Sequence, residues 1–294
     1  MTHSSASRAR GCGHDYVGKT QCFIVFQKQN QHFFQYAVRF DNNHAVCLVL
    51  ANTGEWGGDL IRDAWLMAGV LAVASLTTSL GAFTTVVEDR VFAITKGLYA
   101  SPVKRSHITA GYIISPFIVS LLMTGVTAVG FSIFVVANGG QLPGFVGMLQ
   151  LVGVMLVSGI SATAIVCFIV SFIKATSTLG TVRTIIGTLC GFLMGIYLPI
   201  GILPAPIQTT IMLFPPSHAA LLFRQILLVY PLEATFYGAP AGYAEALKAE
   251  LGITFSFGSF EITPLMSIAY LLICAAVFFG LAAFSMRKAG KWGT

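Results

Sequence analysis

Apolar residues in this chain gather into five long runs, separated by short segments rich in polar residues, glycine and proline. A helix needs about 20 mostly apolar residues to cross the hydrocarbon core of a bilayer. Residues 64–87, 108–136, 145–173, 184–203 and 264–286 meet that need. The second and third runs exceed it, which leaves room for tilt. None of the five alternates with the period of a strand, so the pattern predicts an all-α polytopic membrane protein with five recognisable transmembrane helices.

The segment between the fourth and fifth runs is not an ordinary loop. Pro199, Gly201, Pro204, Pro206, Pro215 and Pro216 break the chain repeatedly around an apolar stretch at 207–214. That stretch is too short to span and is bounded by prolines. It reads as a re-entrant or interfacial hairpin, tolerated at membrane depth only where protein or water covers its backbone. A second short apolar helix follows at 219–229 and contains Arg224; Glu233, Glu245, Glu250 and Glu261 then make the remainder acidic and solvated.

Composition supports the membrane reading. Of 294 residues, 55% are hydrophobic and only 10% are charged, where a soluble domain carries about 25% charged residues. Mean hydropathy is +0.79. The formal charge of +6 need not mean nucleic acid, because Lys and Arg collect in the cytoplasmic loops of membrane proteins. Nine basic residues fall in the 88–107 loop (Arg90, Lys96, Lys104, Arg105), the 174–183 loop (Lys174, Arg183) and the tail (Arg287, Lys288, Lys291), against Arg224 and Lys248 on the other side. The expected C-terminus is therefore cytoplasmic.

The first 60 residues fit this scheme poorly. With five spans and an inside C-terminus they lie outside, yet they carry Arg8, Arg10, Lys19, Lys28 and Arg39, and polar clusters interrupt every apolar run. The chain divides into an atypical segment, 1–60, and a transmembrane domain, 61–294.

Most catalytic patterns are missing. The sequence has no H-E-x-x-H and no G-x-S-x-G, so zinc and serine chemistry lack their usual material. Gly13-x4-Gly18-Lys19-Thr20 fits the letters of a phosphate-binding loop, within the first 60 residues. No span holds two carboxylates for a proton relay. The six cysteines lack zinc spacing, and His107 and His218 stand alone. No cofactor or metal is expected in the chain.

Two constellations remain. In the 88–105 loop, Glu88, Asp89 and Arg90 open and Lys104 and Arg105 close an apolar set that includes Val91, Phe92, Ile94 and Leu98, with Lys96 among them and Ser101-Pro102 ending it. The spacing suits one face of a short helix, which either a partner grips or the lipid headgroups receive. In the fourth run, Gly187, Gly191 and Gly195 recur every four residues. Such a strip lets another helix approach closely, from the same chain or from a second copy.

The 88–105 loop, with its acidic start, Ser101-Pro102-Val103 and basic finish, resembles the first cytoplasmic loop of type-2 (ABC-2) permeases of ATP-binding-cassette exporters. The run from Gly187 to Gly201, followed by Pro204 and Pro215-Pro216, is similar to the fifth span and re-entrant outer hairpin of that family. The resemblance covers roughly residues 60–290. It implies six spans per subunit, a second permease subunit (the same or a different chain), and a separate ATPase subunit that holds ATP and Mg. It also implies that Glu88, Asp89, Arg90, Phe92, Lys96, Leu98, Ser101, Pro102, Lys104 and Arg105 couple to that ATPase. The location implied is the cell membrane, of bacterial inner or cytoplasmic type. The family's cytoplasmic lead-in helix and first span have no counterpart in residues 1–60.

The function expected is thus the permease of an ATP-driven exporter that moves an amphipathic or lipid-like solute, drug, peptide or polysaccharide outward. Ser75, Thr77, Thr78, Ser79, Thr84 and Thr85 are its candidate lining, unless they only satisfy helix carbonyls. The alternative is a non-transporting membrane scaffold; a channel is disfavoured because no charged ring or filter-like loop is present. Residues 1–60 admit one further reading. His32, Tyr36, Asp41, Asn42, Asn43 and His44 have codons with A second and T or C third. Read one base later, those ending in T give Ile or Met, so the segment reads as an out-of-frame remnant of the lead-in helix and first span. The competing reading is a truncated or divergent start.

Overall fold

The computed structural model describes residues 59–92, 94, 105–137, 140–236, 241–257 and 260–289. Its helices, in chain order, are α1 (Asp59–Val91), α2 (Arg105–Ala137), α3 (Phe145–Ser171), α4 (Thr176–Leu193), α5 (Ala205–Leu213), α6 (Pro215–Leu227), α7 (Val229–Thr235), α8 (Ala241–Glu250) and α9 (Pro264–Ala289). A 3-10 turn, Ile200–Ile202, precedes α5. The strands among the described residues are the two-residue pair β1 (Ser256–Phe257) and β2 (Phe260–Glu261), which are antiparallel. The protein is an all-α polytopic membrane protein.

Four helices, α1, α2, α3 and α9, are long and apolar enough to cross a membrane. Side-chain bonds fix their directions. Ser120 Oγ donates to the Ser75 carbonyl at 2.7 Å and Tyr112 to Asp89 at 2.9 Å, so α1 and α2 are antiparallel. Ser79 meets Thr163 and Arg90 meets Val170, so α1 and α3 run together. Ser171 meets Ser285, which sets α9 parallel to α3. The bundle has a loop end, where α1, α3 and α9 finish, and a cap end, where they begin.

Helix α1 is the axis and packs against α2, α3, α4 and α6. Small residues allow this: Ala64, Ala68, Ala72 and Ala82 are buried among Leu71, Leu76, Leu80 and Phe83. Small side chains let neighbouring backbones approach and gain dispersion contacts where lipid offers no hydrophobic drive between helices. On α2 the residues Ile114, Ile118, Leu122, Val126, Val129 and Ile133 form an exposed stripe at intervals of three and four. Such a stripe faces hydrocarbon without cost, whereas in water it would be an aggregation surface.

The fourth expected span, 184–203, is placed differently. Helix α4 begins eight residues earlier and stops at Leu193. Along it Thr181, Thr184 and Thr188 each donate to the carbonyl four residues back, which satisfies their hydroxyls. It stops because Gly195 adopts φ +67°, which is the left-handed conformation that ends helices. Arg183, expected in a loop, sits two turns inside α4 with Nη1 3.4 Å from Thr84 Oγ1.

Candidate functional site

At the loop end, α1 runs through Val91, past the boundary expected at Val87. The first charges of the expected coupling segment therefore belong to a helix, and two of them bond to neighbouring helices. Asp89 is buried and accepts from the Tyr112 hydroxyl on α2. Arg90 directs Nη1 at the Val170 carbonyl near the end of α3, at 3.4 Å. These residues anchor the root of the segment to α2 and α3. Phe92 and Ile94 are instead exposed, Phe92 by 69%. Lys96, Leu98, Ser101, Pro102 and Lys104 lie outside the described residues, and Arg105 is the first residue of α2.

The glycine strip is only partly as expected. Gly187 and Gly191 lie on α4, but Gly195 follows its end and is a turn residue, out of helical register. A Cβ at Gly187 would meet nothing within 4 Å. A Cβ at Gly191 would strike the Tyr197 ring, so that glycine makes room for its own chain. On the side of α4 opposite Gly187, Ile185, Leu189 and Phe192 are exposed.

Four of the six hydroxyls expected to line a passage are used inside the bundle. Ser75, Thr77 and Thr78 donate to the carbonyls of Ala72, Val73 and Ala74 on their own helix. Thr78 also meets Ser120, and Ser79 meets Thr163. They satisfy carbonyls and join α1 to α2 and α3.

The cap end holds the proline-bounded hairpin where the sequence places it. Pro199 precedes the 3-10 turn, Gly201 lies within it, and Pro204 precedes α5. Pro215 and Pro216 open α6, where missing amide donors cost nothing and the fixed φ suits a helix start. Gly201 packs where any Cβ would meet the Glu250 backbone at 2.5 Å, which brings α8 against the 3-10 turn. Helix α6 turns back into the bundle: Pro216 through Arg224 are all buried, against α1, α3 and α9.

Side chains from this hairpin satisfy main-chain groups that helix ends leave bare. Ser217 Oγ donates to the Leu193 carbonyl, and Tyr270 of α9 to that of Leu213. His218, buried against Phe255 and Tyr270, places Nε2 2.9 Å from the Met212 carbonyl and Nδ1 3.2 Å from Ser267 Oγ. A carbonyl only accepts, so Nε2 carries the proton. Arg224 has no measurable exposure. Its Nη2 donates to the carbonyls of Met194 and Gly195 at 2.6 and 3.0 Å. Its guanidinium carbon lies 5.1 Å from the centre of the Trp65 ring, within cation–π range. Trp65 Nε1 donates to the Leu251 carbonyl, and Gln225 Nε2 to that of Ile253.

Arg224 appears in the sequence as one cation in a short apolar helix, counted on the side opposite the basic loops; the structure buries it. The carbonyls that receive it carry no side-chain signature, so its partners were invisible. An arginine inside an apolar run is itself a signal, because charge at membrane depth is expensive. Among the described residues no group of His, Cys, Asp and Glu could hold a metal ion.

Apolar spans, an anchored loop root and a hairpin that turns back into its own bundle define a multi-pass membrane protein of a specific layout. The sequence model of one family, described as ABC-2 family transporter protein, matches residues 24–284. The chain belongs to that family, and is a permease component of an ATP-binding-cassette transporter. Members are normally non-catalytic and work with an ATPase in a separate subunit. No curated protein matches the chain.

Proposed function

We propose that this permease works outward: it forms, with a second permease subunit, the path by which an ATPase-driven exporter moves an amphipathic or lipid-like solute, drug, peptide or polysaccharide. The observation that carries the reading is the exposed Phe92 and Ile94, projecting from a loop root that Asp89 and Arg90 tie to α2 and α3. An exposed aromatic at the end of a rigid helix suits insertion into a protein groove, and the tied root passes its displacement to three helices. The loop end is then cytoplasmic and the cap end external. The basic bias supports that assignment and survives the removal of Arg183 and Arg224, one from each side. The Gly187 side of α4 is the proposed seam with the second subunit, so the passage forms between subunits.

In this reading the chain holds neither ATP nor Mg, and the membrane is the cell membrane. For residues 1–60, which lie almost wholly outside the described residues, the out-of-frame reading stands as a proposal about the gene. The family match begins at residue 24, so its competitor is a divergent start in the present frame. C at the third base of the codons for His32, Tyr36, Asp41, Asn42, Asn43 and His44 would end the proposal, since the shifted frame then reads Thr.

Co-purification in mild detergent tests the coupling. The parent chain should bring down a phosphate-loop ATPase. Phe92→Asp combined with Lys96→Glu should lose it while insertion stays normal. An ATPase that remains bound and stimulated would make this segment a headgroup anchor.

A further inference from the structure

Arg224 is the one arginine among the described residues with no exposed surface. Among those residues no carboxylate pairs with it. Its bonds go to the Met194 and Gly195 carbonyls, and Nε and Nη1 have no hydrogen-bond partner. As simple glue this is a poor choice: taking a charge out of water costs several kcal/mol, repaid in full only when its donors are satisfied, and here two are not. The surroundings are nonetheless built around the guanidinium. A Cβ at Gly195 would lie 3.0 Å from Nη2, one at Gly252 3.3 Å from Nη1, and one at Gly69 3.8 Å from Nη2. Gly195 and Gly252 both adopt positive φ, a conformation other residues rarely take.

The contacts join parts of the chain far apart in sequence. Through Nη2, α6 holds the turn after α4. Through the Trp65 ring it meets α1, and Trp65 passes the connection to Leu251. The neighbouring Gln225 takes Ile253. The Met194 and Gly195 carbonyls lie just past the end of α4, where the helix dipole presents its negative pole to a cation. A charge held by backbone dipoles and an indole face, without a counter-ion, is well held only while all these elements stay together. If the cap parts, water can solvate the guanidinium and repay the cost of burying it.

We propose that Arg224 is a positioning residue for transport: it pins the cap-end hairpin to α1 and to the end of α4, and this end opens when the guanidinium leaves the Met194 and Gly195 carbonyls. The inference rests on the permease reading, but its test does not. Ile253→Cys supplies a reporter at a buried position of the cap, and native Cys167, equally buried in α3, is the internal control. The full chain in lipid nanodiscs is treated with a water-soluble maleimide, and each site is quantified by mass spectrometry. Arg224→Met should raise the labelling rate at position 253 by about tenfold or more, the loss of one charge-assisted hydrogen bond, with Cys167 unchanged. Arg224→Lys keeps the charge but not the planar fork. It should give a smaller rise, and it serves where the Met variant does not assemble. Unchanged labelling at 253 in both variants overturns the proposal. A parallel rise at 253 and Cys167 also overturns it, by making Arg224 a general packing residue. Failure of the permease reading shows separately, as the absence of any co-purifying ATPase.

Discussion

Helix α1 meets a buried charged group near each of its ends, and the two are held by different means. At the loop end Asp89 is its own residue and accepts from a hydroxyl on the neighbouring helix. At the cap end Arg224 comes from α6 and is held by two carbonyls and the Trp65 ring. The first arrangement ties two spans by one charge-assisted bond between side chains. The second gathers four segments around a group that lacks a charged partner among the described residues. The comparison separates an end suited to transmit displacement as a rigid root from an end suited to come apart.

The largest effect is expected at the cap. Gly195→Ala places a Cβ at φ +67°, where left-handed backbone costs about 1–2 kcal/mol. That Cβ would also lie 3.0 Å from both Arg224 Nη2 and Ile200 Cγ1. We expect a loss of about 2–3 kcal/mol in all, including the overpacking. It should be read as a lowered unfolding midpoint in detergent, together with faster proteolysis of the 194–255 region. A midpoint equal to the parent's would mean that the cap yields without strain, and the contrast between the ends would disappear.

The loop end should respond less to a single lost atom. Tyr112→Phe removes the hydroxyl that donates to Asp89 and keeps the ring. Hydrogen bonds to charged groups are worth about 1.5–3 kcal/mol, and Asp89 has further interactions. We therefore expect about 1–2 kcal/mol. The more telling readout is coupling: basal ATP hydrolysis by the co-purified ATPase should persist, while its response to insertion in the complex falls. Asp89→Asn, which keeps an acceptor, should be milder. Full coupling in Tyr112→Phe would leave the bond a local brace.

Much of this contrast could be read in advance at the cap, and little of it at the loop end. Prolines and glycines announce their own backbone consequences, so the hairpin between Pro199 and Pro216 was legible residue by residue. The bounds of α4 were not, because apolarity does not mark where a helix stops. Its end depends on the left-handed Gly195. The acidic loop start looked like a docking surface because sequence gives charge without direction. Only the packing of α1 on α2 and α3 buries Asp89 and lets the exposed Arg90 reach a carbonyl of α3. Arg224 was visible, but its acceptors are main-chain atoms, and no residue type betrays those.

Between the two ends, α1 is joined to α2 by a neutral bond from Ser120 Oγ to the Ser75 carbonyl. Polar contacts between membrane helices average about 0.6 kcal/mol. Ser120→Ala should cost that much or less, below Tyr112→Phe on the same pair of helices. A larger loss would place the holding energy of α1 and α2 at mid-bundle rather than at the root.

The smallest effect on the subunit belongs to Gly187. Gly191 is a poor probe of a seam with a second copy, because any side chain there first meets Tyr197 of its own chain. Gly187 has no such neighbour: a Cβ would meet nothing within 4 Å, on a side of α4 that also exposes Thr184, one turn before it. Gly187→Ala should leave the subunit unchanged or gain up to about 1 kcal/mol in helix propensity. Gly187→Leu should be equally harmless to the subunit. If a second permease packs here, however, Leu holds the helices apart, and cross-linking between copies through a cysteine placed at Thr184 should fall sharply. Cross-linking that persists at the parent level in Gly187→Leu would move the seam away from this side of α4.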